Sequence, residues 1–231
     1  MGKGADTVIS LVHNYFELHS LGEKSLIIHA DNCSGQNKNN AMIQYLAWRV
    51  MTKKHERIRY SFMVPGHTKF SPDGFFGLIK LKYRKSEVDD LEDLVKVVET
   101  STKGSNIAQT IFDVNGEKKV SFNCWTEYLK NIFKPLPYIL NYHHFIFDKD
   151  YPGFVHAKKQ NDDNEFVSID LIKNHDIDMG QLFLNEKIPM GLSAERQWYL
   201  YEHIRQYVQN LEKRDKYCSY PNVPKPRTKN K

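Results

Sequence analysis

Cysteine is scarce in this chain. Cys33, Cys124 and Cys218 lie far apart with no CxxC pair, which excludes a disulfide framework and a cysteine-based zinc site. An intracellular, reducing compartment is the expectation that follows. Long apolar runs are missing as well, so no helix is expected to span a membrane. The residues after Met1 lack the apolar core of a signal peptide. Asp6 stands where a myristoylation pattern needs Ser or Thr. There is no GxxxxGK[ST], no GxGxxG and no HExxH, so no nucleotide cofactor and no zinc-protease chemistry is expected. With 231 residues, 40% hydrophobic and 13% aromatic, the chain is globular rather than disordered, collagen-like or coiled-coil. It can bury a sizeable core as one large domain or two small ones.

The net charge of +5 is unevenly spread. Residues 36–85 hold eleven Lys and Arg against only Glu56 and Asp73. Residues 86–117 hold eight carboxylates against Lys96 and Lys103. Residues 212–231 are again basic, and with their prolines they read as a flexible tail. A basic segment beside a polyanion site is an electrostatic footprint for nucleic acid. A solvated helix face accounts for the same charges.

Apolar spacing predicts a helix over 7–19 behind Asp6, with Val8, Leu11, Val12, Tyr15, Phe16 and Leu18 on its inner side. A buried strand follows at 25–30 (SLIIHA), then a helix over 39–54, a strand over 58–64, and a helix opened by Ser71 and Pro72. This helix, strand, helix, strand, helix order predicts an α/β core with parallel strands. Further on, the pattern predicts an acidic helix over 87–100, a short strand at 119–122 and a helix at 124–133. It then gives a hairpin of 142–147 with 154–158 around Asp150–Gly153, and a helix over 193–210.

The chemistry of interest sits at two strand ends. Asp31 closes LIIHADN, at the carboxyl end of a parallel strand, where open α/β sheets bind ligands. Asp73 follows the next strand in GHTKFSPD. Two or three carboxylates converging there can hold Mg²⁺ or Mn²⁺, and metals so placed serve phosphodiester chemistry. His67 and Lys69 lie close in sequence and either can meet a phosphate. The bland alternative is that both acids only cap turns and helix starts.

DNCSGQNKNN (31–40) followed by VPGHTKFSPDGFFG (64–77) resembles the signature of a family known only as a domain of unknown function, widespread in transposon-derived proteins. YHHFIF (142–147), PGFV (152–155) and GLSAERQWYLYEHIR (191–205) resemble the same family. That family is similar to DDE-type transposases and integrases of the RNase H-like fold. The resemblance implies that Asp31, in its Asp31-Asn32 dipeptide, matches the second acid of the triad and Asp73 the third. Both would hold Mg²⁺ or Mn²⁺. Asn32, Gln36, Asn37, Lys38, His67, Thr68 and Lys69 would meet DNA. It also implies a first acid on an opening three-stranded hairpin before the helix at 7–19, where this chain has six residues. The expected fold is therefore an RNase H-like α/β core lacking its first strands.

The expected organisation is a partial core at 1–100, an α+β region at 101–211 and the tail at 212–231. The expected function is transposase- or integrase-like DNA chemistry impaired by truncation. The alternative is a non-catalytic module of the same fold that binds DNA or protein. DNA and a second copy of the chain are the candidate partners, in the nucleus. Other features point to structure: His143 and His144 are adjacent on a strand and so face opposite ways. The Trp198, Tyr199 and Tyr201 helix reads as core or docking surface, and Cys33 has no base at motif spacing.

Overall fold

The computed structural model describes residue 2 and residues 4–63, 71–113, 115–160 and 165–226. Seven α-helices and a five-stranded mixed sheet make up the regular structure among them. Contacts divide the chain into two units, residues 1–68 with 111–189 and residues 69–110 with 190–231. Each unit is built from two segments that alternate along the chain.

The first unit opens with α1 (Ala5–His19), β1 (Ser25–Ala30), α2 (Asn40–Met51) and β2 (Arg57–Phe62), in the expected order. β1 and β2 pair in parallel, with Leu26 beside Ile58 and Ile28 beside Tyr60. The chain returns through α5 (Trp125–Ile132), β3 (His144–Asp148), β4 (Phe154–Lys158) and β5 (Val167–Asp170). These last three strands run antiparallel, β3 against β2, so the sheet order is β1-β2-β3-β4-β5. The β3–β4 hairpin is the one expected. Residues 119–122 form no strand; isolated bridges flank them, Lys118 with Phe112 and Asn123 with Glu186. β5 was not legible, since four residues after a polar loop carry little alternation.

One face of the sheet is dry. Ile58, Tyr60, Phe145, Phe147, Val155 and Ala157 all point into the core. α2 covers that face and is itself buried on every side from Ala41 to Val50, including Gln44 and Arg49. A helix enclosed all round cannot be told from a half-buried one by its stripe, because its outer face must also be packed. Here α1 and α5 supply that packing, through the ring contacts of His13, Tyr45, Trp48, Trp125 and Tyr128. On α1, Leu11, Tyr15 and Leu18 stay exposed despite their helical spacing.

The second unit contains α3 (Ser71–Tyr83), α4 (Leu91–Glu99), α6 (Ala194–Tyr199) and α7 (Leu211–Tyr217). The helix expected over 193–210 widens into a π turn at Leu200–Ile204 and tightens at Arg205–Tyr207. α7 lies within the segment expected to be a flexible tail. It is held there by the acidic segment: Lys213 meets Asp90 at 3.0 Å and Asp93 at 2.7 Å, and Asp89 accepts from the Asn210 amide at 2.8 Å. Trp198 donates its ring N–H to the Val223 carbonyl at 2.9 Å, so this aromatic is structural.

Candidate functional site

The DNCSGQNKNN segment folds into a tight loop between β1 and α2. The Cys33 carbonyl accepts from the amides of Gln36, Asn37 and Lys38. Asp31 Oδ1 accepts from the Cys33 amide at 3.0 Å and from Asn37 Nδ2 at 2.8 Å. Asn32 bridges the two parallel strands' ends: its Nδ2 donates to the Met63 carbonyl and its Oδ1 accepts from Lys38 Nζ at 3.2 Å. Lys38 Nζ also donates to the Leu140 carbonyl at 3.1 Å and lies 5.2 Å from the centre of the Phe62 ring. The Tyr60 hydroxyl donates to the Asn37 carbonyl at 3.1 Å. Asn39 caps α2 by accepting from the Met42 amide, and Asn40 Oδ1 accepts from the Leu136 amide at 2.7 Å.

Asp31, Asn32, Asn37 and Lys38 are thus brought together, in one hydrogen-bonded loop. Lys38 is buried, and burial lowers its pKa below the usual lysine range. Its ammonium faces neutral oxygens and a ring rather than solvent. Gln36 is half-buried beside them. Asp73 lies in the first turn of α3, in the second unit. His67, Thr68 and Lys69 lie outside the described residues.

The loop supplies one carboxylate, and the Asp31 oxygen that organises the turn already accepts two hydrogen bonds. Mg²⁺ takes near-octahedral oxygen ligation and usually one or two carboxylates. Among the described residues no three His, Cys, Asp or Glu side chains form a group that could hold a metal ion. The loop's own donor set does not fit such an ion.

A second feature was not anticipated as a site. The sheet face opposite the core is open and forms a groove of about 930 Å³. Its floor follows the register of the strands. One cross-strand row runs Ile27, Arg59, Ile146; the next runs His29, Ser61, His144, Lys158. Arg57, His143, Lys159, Phe62 and Phe166 complete most of the lining. Among the described residues four Lys or Arg and three His line it, and no carboxylate does. Arg57 leans on Asp148 at 3.7 Å, whereas Arg59 has no ion pair among the described residues. His144 Nδ1 lies 3.0 Å from Ser61 Oγ. Burial holds the His143 pKa below the usual imidazole value, and the nearby Lys38 charge adds to this. His143 and His144 both line the groove, contrary to the expectation that adjacent residues face opposite ways; His143 stands just before β3. The legible signal was Arg57-x-Arg59, two cations at strand spacing within the basic segment.

The sequence model of the family described as Domain of unknown function (DUF7869) matches residues 3–164, and the chain belongs to this family. The match includes the 31–40 loop, Asp73 and all of the groove lining except Phe166, and stops short of the stretch at 191–205. Neither a curated protein nor a solved structure matches the chain.

Proposed function

We propose that this chain is a DNA-binding α/β module that acts by holding the phosphate backbone rather than by cutting it. The observation that carries the reading is the open-face groove, where Arg57, Arg59, Lys158 and Lys159 gather with three histidines. Cations gathered on a concave surface raise the local concentration of a polyanion. They bind it by releasing its counterions. An RNase H-like origin is part of this reading. It is supported by the parallel β1–β2 pair with α2 crossing between the strands, and by Asp31 at the carboxyl end of β1.

The test is a fluorescence-anisotropy titration of the full chain with labelled DNA at rising salt. Affinity is expected to fall steeply, and linearly on a log–log scale, between about 50 and about 200 mM salt. Affinity that stays flat removes DNA from the account.

The position of Asp31 at the carboxyl end of β1 favours a second reading, DDE-type phosphodiester chemistry that depends on Mg²⁺ or Mn²⁺ and in which Asp31 takes part. The same DNA incubated with either metal separates the two. The binding reading expects no nicking beyond that of the Asp31→Asn and Asp73→Asn variants. Metal-dependent nicking abolished by both variants replaces it.

A further inference from the structure

Building on the DNA-binding reading, we infer that the groove takes a single strand, with bases laid on its apolar floor and phosphates along its cationic sides. The argument rests on what lies between the cations. Ile146 separates Arg59 on β2 from His156 on β4, and Ile27 extends the same row to the sheet edge. Ile27 is 62% exposed and Phe166 is 40% exposed, so both present apolar surface to solvent. A duplex gains nothing from such a floor. Its bases are stacked inward, and its outer surface is phosphate, sugar and hydrated base edges.

An unpaired strand offers apolar base faces beside each phosphate. Single-strand binders match this with aromatic side chains in a basic channel. Here both elements are adjacent, since Lys158 Nζ lies 4.9 Å from the centre of the Phe166 ring. Arg59 and Lys158 stand on strands two apart, about 10 Å between backbones, with β3 and its Ile146 between them.

The experiment compares oligothymidylate with its oligoadenylate duplex on the full chain, over a salt series. The single strand is expected to bind at least about tenfold more tightly, as one or two stacked bases provide. Phe166→Ala should weaken single-strand binding by about tenfold and leave duplex binding unmoved. Arg59→Ala should weaken both and make the single-strand salt slope shallower by about 0.7, with Arg59→Lys restoring it. Ile27→Ala, at an exposed edge position across the groove, gives a second reading of the floor should Phe166→Ala fold poorly by circular dichroism. A duplex that binds as tightly as the single strand overturns this inference and leaves DNA binding standing. So does unchanged single-strand affinity in both floor variants. Binding of neither form in a salt-dependent way overturns this inference and the DNA-binding reading together.

Discussion

Arg49 Nε donates to His55 Nδ1 at 3.2 Å, with both side chains buried at the end of α2. The bond requires a neutral imidazole that offers its lone pair. Arg49 also donates to the Tyr45 hydroxyl at 2.9 Å and sits 3.4 Å from Glu17 Oε1, so its charge is directed at α1. His13 completes the cluster, 3.2 Å from the Tyr45 hydroxyl.

Acid should therefore loosen the first unit. Burial lowers the His55 pKa to about 4, with the Arg49 charge adding to it. Burial likewise lowers His13 to about 4, with Glu17 opposing and Arg49 adding. The unfolded chain takes up these protons near pH 6.5, the ordinary value of an imidazole. Between the two pH values the unfolded state binds more protons, so stability falls as pH drops from about 6.5 towards 4. Above about 6.5 this contribution is fully present and flat. Urea midpoints at steps across the range should show the fall, and His55→Asn should make it shallower. A midpoint independent of pH between 4 and 7 contradicts the assignment.

Asn32 is predicted to hold the loop through both ends of its amide. Asn32→Ala removes the bond to the Met63 carbonyl and one of the two oxygens that face the buried Lys38 ammonium. The cost should be about 1–3 kcal/mol, the penalty for leaving buried donors and acceptors without partners. Chemical denaturation of the two proteins measures it; a difference near zero means the clasp is not structural.

Asp6 serves a helix that is not its own. The N-cap of α5 is Cys124, which makes no side-chain cap bond. Asp6 Oδ1 instead accepts from the Thr126 amide at 2.8 Å and its hydroxyl at 2.6 Å, and Lys187 lies 3.3 Å from Oδ2. Asp6→Ala should cost about 0.5–2 kcal/mol, as loss of an N-cap does. Asp6→Asn should cost less, since its amide oxygen still accepts. The two variants' thermal midpoints should rank accordingly.

Gly153 turns the β3–β4 hairpin at φ +83°, and a Cβ there would run into the Ile172 side chain, which is buried. Gly153→Ala combines a left-handed backbone, costing about 1–2 kcal/mol, with overpacking at a core residue. The expected loss is at least about 2 kcal/mol by urea unfolding. Asp150→Ala, at an exposed site in the same turn, should change stability by less than about 0.5 kcal/mol.

The order of helices and strands to residue 85, the parallel pair β1–β2 and the hairpin were legible because local apolar spacing fixes an element's type. The Asp31–Asn40 motif was legible as a special segment, and its residue types account for it. Short amides and a carboxylate bond to nearby backbone and so shape a turn. What those residues face was decided only by the tertiary fold. Lys38 looked like a phosphate contact and is buried, because the Leu140 carbonyl arrives from a hundred residues away. The acidic segment was legible only as a helix, and its Asp93 anchors Lys213 across a long separation in sequence. The groove exists because the antiparallel β3 and β4 set Ile146 beside Arg59 and bring Lys158 into the row of Ser61 and His144. Periodicity tells which side chains share a face of one strand. Which strands lie side by side, and which face stays open, follows from long-range packing that no local window contains.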